Sequence, residues 1–411
     1  MKSRNIIVIG GGASGIAAAI SAAREGANVI VIEHKDRIGK KILSTGNGRC
    51  NLTNENMDAR YFRGDDTTIV TEVLNEFGYS QTKQFFEQLG VILKNRQGYI
   101  YPISDQASTI LDVLRMELDR LKVKVCLEQH VVSAKKNTKG FQIITDKGRY
   151  QCDALILATG GKASSVLGSD GSGYVLAKQF GHQISPVVPA LVQLKGKGNY
   201  FKQVAGVRTH AKVSLYENET FISEDTGELQ LTNYGISGIP VFQISRYAAK
   251  GLYEKKKINV VIDFIPSMTE DELYTYVNER VKTHGEKKTE DFFVGMFHKK
   301  LISMFLKEAN IPFSTPVHMI PHEDLKRMLC LCKHFTVVIE GTNDFEQAQV
   351  CAGGVRTTEI NPKTMESLHE SGLYIAGELL DIDGICGGYN LQWAWSTGFI
   401  AGENAAKGSN L

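Results

Sequence analysis

Three stretches of this 411-residue chain hold residues whose types and spacing suit chemistry. The first is Gly10-Gly11-Gly12-Ala13-Ser14-Gly15, with Glu33 following 18 residues past the last glycine. In a G-x-G-x-x-G loop, Gly10 allows a tight turn, Gly12 lets backbone approach a pyrophosphate, and Gly15 permits close helix–strand packing. A carboxylate at Glu33 suits ribose hydroxyls and would repel a 2′-phosphate. The second stretch is Arg37–Asn54, RIGKKILSTGNGRCNLTN. Lys40 and Lys41 are candidates for phosphates, and Ser44, Thr45, Gly46, Asn47 and Gly48 offer backbone to a larger ring system. The third is CGGYNLQWAWSTGFIAG, Cys386–Gly402, which holds both tryptophans. Its glycine pair opens a helix whose start is bare of side chains apart from Tyr389 and Asn390, a place for an anion or carbonyl against free backbone N–H groups.

The elements around these stretches read as a nucleotide-binding sheet. RNIIVIG is a buried strand that breaks at glycine, SGIAAAISAAREG has helical spacing and ends at Gly26, and ANVIVIE is a second buried strand. Strand, helix and strand within about 30 residues make a βαβ unit with a parallel sheet. DALILATGG (Asp153–Gly161) and GLYIAGEL (Gly372–Leu379) repeat the pattern of a strand ending in a glycine turn. The glycine fingerprint alone does not separate NAD from FAD. The polar Arg37–Asn54 stretch, the second glycine turn at Ala158-Thr159-Gly160, and the Gly377-Glu378 strand end before the bare helix start favour FAD. Reduced flavin carries negative charge on one edge, which a helix N-terminus stabilises. Trp393 and Trp395 are expected in the core rather than on the flavin.

The texture changes between about Pro186 and Gly354. HAKVSLYENETF and KINVVIDFIP read as strands. SMTEDELYTYVNERVK reads as a helix with a Ser267–Glu270 capping box, and EDFFVGMFHKKLISMFLKEA as one long apolar-faced helix. The expected class is α/β: a glutathione-reductase-type, Rossmann-like FAD-binding domain over 1–186 and 355–411, with an inserted α+β domain over 187–354. A net charge of +2 gives no global signal for nucleic acid or membrane. Seven scattered cysteines suggest reduced thiols in a cytoplasmic protein. Cys330-Leu331-Cys332-Lys333-His334 lacks a second ligand pair and follows a helical pattern, so no metal is expected. Lys2 and Arg4 before an apolar stretch mimic a secretory signal, but three consecutive glycines interrupt it, and no stretch is long enough to span a membrane.

GGGASG, GKKILSTGNGRCNLTN, GYIYPISDQAS, ATGG, LTNYGISGIP, CAGGVRTTEINPKTMES and LYIAGELLDIDGICGGYNLQWAWSTG occur in this order, nearly end to end. In these motifs the chain resembles the YhiN/BaiN-like (RdsA-type) family of FAD-dependent oxidoreductases. The resemblance implies reduction of activated C=C bonds, with uridine in ribosomal RNA as the favoured substrate and a steroid-like small unsaturated molecule as the other. Asn233 stands where the family stretch carries His. The expected FAD-binding set is Gly10, Gly12, Ala13, Ser14, Gly15, Glu33, His34, Lys40, Lys41, Ser44, Thr45, Gly46, Asn47, Val131, Val132, Ala158, Thr159, Gly160, Gly377, Glu378, Gly388, Asn390 and Leu391. No second G-x-G-x-x-G follows a strand, so NAD(P)H is expected only as a transient electron donor. Saturating a double bond needs a proton as well as hydride. Cys50 and Cys386 are the candidate acids, a small buried cysteine being the other reading of each. Arg49 is a candidate for orienting an anionic or carbonyl substrate or, equally, for pairing with a phosphate of FAD. Tyr234 and Ser237 are candidates for facing the flavin or, equally, parts of a plain turn. An amine or amino-acid oxidase and an FAD-holding redox sensor are the competing readings.

Overall fold

The computed structural model describes residues 3–408, so Lys2 lies outside the described residues. The chain divides into two units, Met1–Val188 with Ala348–Leu411, and Pro189–Gln347. The sequence placed the return to the first unit after Gly354; residues 348–354 already belong to it. The Cys351 N–H donates to the Glu378 carboxylate at 2.9 Å, and at Gly353 (φ +92°) a Cβ would lie 2.1 Å from the Pro186 carbonyl oxygen. Only glycine fits there.

A five-stranded parallel sheet forms the first unit, in the order Leu373–Ile375, Ala154–Leu157, Asn5–Ile9, Asn28–Ile32, Lys124–Cys126. Its central strands are runs of Ile, Val and Leu because helices and loops cover both faces. Two antiparallel sheets flank it. One joins Val131–Asn137, Gly140–Thr145 and Arg149–Cys152; the other joins Thr53–Asn54, Tyr99–Pro102 and Leu93–Arg96. Arg37–Asn54 forms no crossover helix. Its centre, Ile42–Gly48, makes tight 3₁₀ turns interrupted by an extended Thr45 and a left-handed Gly46 and Asn47.

The helix Ala13–Arg24 is rich in alanine, and every residue from Ser14 to Ala22 is buried. Against it lies the last helix, Tyr389–Lys407. A Cβ at Gly398 would sit 2.3 Å from the Ser14 carbonyl oxygen, and one at Gly402 would sit 2.2 Å from that of Ala18. The two backbones therefore touch directly, and the Ser21 hydroxyl adds a 2.9 Å bond to the Phe399 carbonyl. Trp393 and Trp395 lie in the core as expected, 2% and 0% exposed, their indole N–H groups donating to the carbonyls of Gly377 and Leu52.

The second unit is a closed antiparallel barrel. Its strands run in the order Leu194–Gly196, Gly235–Gly238, Thr220–Leu231, Arg208–Glu217, Ile258–Asp263, Phe335–Thr342. Helices Ile239–Tyr253, Glu270–His284, Lys299–Glu308 and His322–Lys333 accompany it. Two readings of this unit need correction. The capping box is Thr269 with Glu272, not Ser267 with Glu270: Thr269 Oγ1 accepts from the Glu272 N–H at 3.2 Å, and Glu272 Oε2 accepts from the Thr269 N–H at 2.7 Å. Glu270 instead meets His334. The expected long helix is two, Thr289–Phe292 and Lys299–Glu308, separated by turns over 293–297; His298 is extended and its ring caps the second at the Lys300 N–H. Cys330 is exposed and Cys332 buried on the helix His322–Lys333, and all seven cysteines are free. No helix among the described residues is long and apolar enough to cross a membrane.

Loss of a capping hydroxyl costs about 1 kcal/mol. Thr269→Ala should therefore lower unfolding free energy by about that amount in a denaturant titration, while Ser267→Ala should stay within about 0.5 kcal/mol of wild type. The reverse ranking would restore the cap to Ser267.

Candidate functional site

The glycine loop is packed hard on one side and open on the other. Gly10 (φ +105°) leaves a would-be Cβ 2.4 Å from the Ala158 carbonyl oxygen, and at Gly15 a Cβ would fall 1.9 Å from that of Gly10. A Cβ at Gly12, by contrast, meets nothing within 4 Å. The helix behind it has no side-chain cap and no acidic residue in its first turn, so the N–H groups of that turn are left without a side-chain acceptor. Ala13 is half-buried and Ser14 buried, and a Cβ at Gly377 (φ +76°) would fall 2.4 Å from Ser14 Oγ. The open space beside Gly12 lies where the sequence led us to expect a diphosphate.

Buried Glu33 directly follows the second strand, its oxygens accepting from the backbone N–H groups of Gly11 at 2.7 Å and Lys35 at 2.8 Å. These bonds fix the orientation of the carboxylate. His34 lies beside it, Nδ1 3.2 Å from Glu33 Oε1, and its buried Nε2 has no hydrogen-bond partner. The segment just ahead of Val131 and Val132 is tied to the same place. The Gln129 N–H donates to the Glu33 carbonyl at 3.0 Å, and the His34 and His130 rings meet edge-on at 5.8 Å.

The lysines depart from expectation. Lys40 pairs with Asp36 at 2.7 Å, and Lys41 pairs with Glu378 at 2.8 Å and bonds the Ala163 carbonyl at 3.2 Å. Both charges are met by carboxylates rather than held free for a phosphate. Glu378 is in turn fixed by Lys41 and the Cys351 N–H. In the second glycine turn Ala158 is buried against Gly10, while Thr159 and Gly160 (φ +72°) are half-buried. Ser44, Gly46 and Asn47 are exposed and Thr45 half-buried, which leaves the backbone of this loop accessible.

The last helix begins at Gly388 (φ +95°), preceded by Gly387 (φ +125°), and no side chain caps it. A Cβ at Gly388 would lie 2.8 Å from the Thr53 carbonyl. Neither Tyr389 nor Asn390 turns its side chain to a ligand. The Tyr389 hydroxyl donates to the Asn56 carbonyl at 3.2 Å, and the Asn390 amide closes the loop onto the N–H and carbonyl of Gly384, both at 2.8 Å. What Asn390 and Leu391 retain for a ligand is first-turn backbone N–H. Asn51 braces this start: with its amide oriented so that both ends are satisfied, it accepts from the Gly388 N–H at 3.2 Å and donates to the carbonyls of Ile100 and Thr53.

Among the candidate catalytic residues, Cys50 fails on access. It is 0% exposed in the core, and burial pushes its thiol up to about 12. A general acid must reach the group it protonates, and Cys50 has no surface from which to do so. Cys386 is half-exposed, and Arg49 is exposed with no ion-pair partner among the described residues. In the second unit, Tyr234 is 38% exposed and accepts from the Asn343 amide at 2.9 Å, while Ser237 is buried.

Nothing in the sequence pointed to the cluster His182, Glu359 and His369, whose ligating atoms lie within 4.8 Å of one another. Protons already satisfy it. Ser367 Oγ accepts from the N–H groups of His369 and Glu370 at 3.0 and 3.1 Å, so its own hydrogen goes to His182 Nε2 at 2.8 Å. That leaves His182 Nδ1–H to donate to Glu359 at 2.8 Å, with His369 Nε2 3.2 Å from the same oxygen. Burial lowers the His182 pKa from its usual 6.5, against the pull of Glu359.

Two outcomes follow from this geometry. Gly12→Val should fold, since the space beside Gly12 is open, but purify without FAD; retention of FAD at wild-type affinity would move the nucleotide elsewhere. For His182, folding favours the neutral ring, so its contribution is complete above pH 6.5 and is lost as pH falls below that value. Wild-type Tm should drop between pH 7.5 and 5, and the slope should flatten in His182→Asn. Parallel curves would remove His182 as the titrating group.

The chain is 52% identical over 402 residues to the 3-dehydro-bile acid delta(4,6)-reductase of Clostridium scindens, covering 97% of this chain and 98% of that protein. It is 29% identical to the ribosomal RNA dihydrouridine synthase of Escherichia coli, covering 100% of both. In fold it is similar to the 3-ketosteroid delta1-dehydrogenase of Sterolibacterium denitrificans, with a TM-score of 0.50 at 12% identity, over 99% of this chain and 100% of that one. Residues 4–404 match the HI0933-like protein Rossmann domain; the chain belongs to that family and is an FAD-dependent oxidoreductase.

Proposed function

We propose that the enzyme saturates a C=C bond conjugated to a carbonyl in a small polycyclic enone. The observation that carries this reading is the 52% identity to a 3-dehydro-bile acid delta(4,6)-reductase along nearly the whole of both chains. Ribosomal RNA stood first from the sequence. It becomes the second reading, supported by relatives at 28–29% identity whose reaction also saturates a double bond next to a carbonyl.

The residues fit the cofactor. Gly10–Gly15 and the uncapped helix behind them would hold the diphosphate, and Glu33 with His34 the adenosine half. Backbone of Ser44–Gly48 and the start of the last helix would take the ring. Bound FAD supplies a carrier of hydride, loaded by a donor for which NAD(P)H is the expected class. The chain's own part is electrostatic and positional. First-turn N–H groups at Tyr389–Leu391 present a positive helix end to whatever negative charge develops there, and Asn51 holds Gly388 in place. Arg49, exposed beside this loop, is suited to a substrate carbonyl or carboxylate.

Reduced enzyme mixed anaerobically with a 3-keto-4-ene bile acid should yield a product heavier by two hydrogens, with reoxidation of the flavin. If only ribosomal RNA gains two hydrogens, the RNA reading takes its place. If oxygen is consumed with an amine as reductant and neither enone nor RNA is reduced, the enzyme is an oxidase.

A further inference from the structure

We propose that the Tyr101 hydroxyl supplies the proton that accompanies hydride in saturating the substrate double bond. The proposal rests on the enone-reductase reading above and gives it the acid that Cys50 cannot be.

The reaction needs an O–H, N–H or S–H donor on the open side of the site. Cys50 is sealed in the core, and the Tyr389 hydroxyl is buried and committed to the Asn56 carbonyl. The strand Tyr99–Pro102 offers two more phenols. Side chains alternate along a strand, so Tyr99 and Tyr101 share one face, and Ile100, 2% exposed, points the other way. That shared face spans both glycine loops assigned to the flavin ring. The Tyr99 ring lies 2.9 Å from the place a Cβ would occupy at Gly387, and the Tyr101 ring lies 3.4 Å from that at Gly46.

The surroundings separate the two. Tyr99 is 40% exposed and packs on the helix start, whereas Tyr101 is half-buried among cations. The Arg96 guanidinium lies 5.8 Å from the Tyr101 ring centre, and Arg49 adds its charge from the loop after Gly48. Asp105 answers part of this charge by taking Lys94 at 2.5 Å and Arg96 at 2.7 Å. Lys94, Arg96, Arg49, Tyr99 and Asp105 are thus the titratable and charged groups facing Tyr101, with three cations against one anion. Burial lifts the Tyr101 pKa above the usual phenol value, which keeps it protonated at neutral pH. Arg49 and Arg96 pull the other way and stabilise the phenolate left after proton transfer. An acid that is loaded at rest and whose conjugate base is stabilised meets both demands of the step.

The balance closes. The substrate carbon β to the carbonyl receives hydride, with its two electrons, from reduced flavin, which ends oxidised. The α carbon receives the Tyr101 proton, and the π bond becomes two C–H bonds. The phenolate recovers its proton from water on its exposed side.

Tyr101→Phe tests the assignment. The variant should retain FAD and accept electrons from dithionite at the wild-type rate. Reoxidation of the reduced variant by a 3-keto-4-ene bile acid should slow about 10²–10⁴-fold in single turnover. In deuterated water the wild-type product should carry deuterium in one configuration at the α carbon, and the variant product in both. A readout without flavin is ultraviolet phenolate titration of the apoprotein. The step missing in Tyr101→Phe should move to higher pH in Arg49→Gln, since Arg49 favours the phenolate. Wild-type reoxidation rate and a single deuterium configuration in Tyr101→Phe would overturn the proposal. If wild-type enzyme reduces neither this enone nor uridine in RNA, the enone-reductase reading falls first and takes the role of Tyr101 with it.

Discussion

The architecture depends on one contact between bare backbones. Gly398 and Gly402 press against the Ser14 and Ala18 carbonyls at distances that no side chain would allow, 2.3 and 2.2 Å from a would-be Cβ. Interiors are packed as densely as organic crystals, so such a contact behaves as a rigid joint. It ties the first helix to the last, and with them the two helix starts that lack side-chain caps. The alanines of the first helix and the glycines of the last are both needed for this approach. The two helix starts proposed for the ring and the diphosphate are therefore fixed to a common support, and their dipoles would need no reorganisation when charge develops.

Recognition of anionic groups then falls to backbone. The lysines nearest the glycine loop are neutralised, Lys40 by Asp36 and Lys41 by Glu378 across 337 residues of sequence. Glu33 is itself anchored by two backbone N–H groups. What remains positive at the loop is the helix end, a field set by peptide dipoles and not by mobile ammonium groups. An excess of positive side-chain charge gathers instead around Tyr101, where Lys94 and Arg96 pair with a single Asp105 and Arg49 adds a third cation. On the proposed assignment, holding the cofactor and handling the substrate draw on different kinds of positive charge.

Local features were legible in the sequence because local rules govern them. The glycine loop, the strands around it, the open Ser44–Gly48 stretch and the burial of both tryptophans follow from spacing and glycine chemistry alone. Errors arose where two local solutions compete or where a partner is distant. Ser267-x-x-Glu270 and Thr269-x-x-Glu272 are overlapping capping boxes of similar quality, and the fold employs the second while Glu270 turns to His334. The break at His298 has no proline to announce it. Cys50 was a candidate acid because it lies in the GNGRCN stretch assigned to the flavin, with a small buried cysteine as the other reading; at a positive φ of 59° it lies in the core. The ties of Lys41 to Glu378 and of His182 to Glu359 and Ser367 join residues far apart in sequence, so no window contains both partners.

The interrupted layout of the first unit has a consequence for how the protein is made. Strand Ala154–Leu157 forms its outer ladder with Leu373–Ile375, which the ribosome supplies only after the whole Pro189–Gln347 barrel has emerged. At about 5–20 residues per second that interval is roughly ten to forty seconds. Throughout it, a flat apolar edge of the parallel sheet and the alanine face of Ala13–Arg24 stand uncovered, the kind of surface that templates aggregation. The barrel, being one continuous segment, is free to close during the same interval. Expression yield should therefore depend on chaperones that shield the nascent first half, and slowing translation beyond residue 347 would prolong the exposure without helping the half that waits.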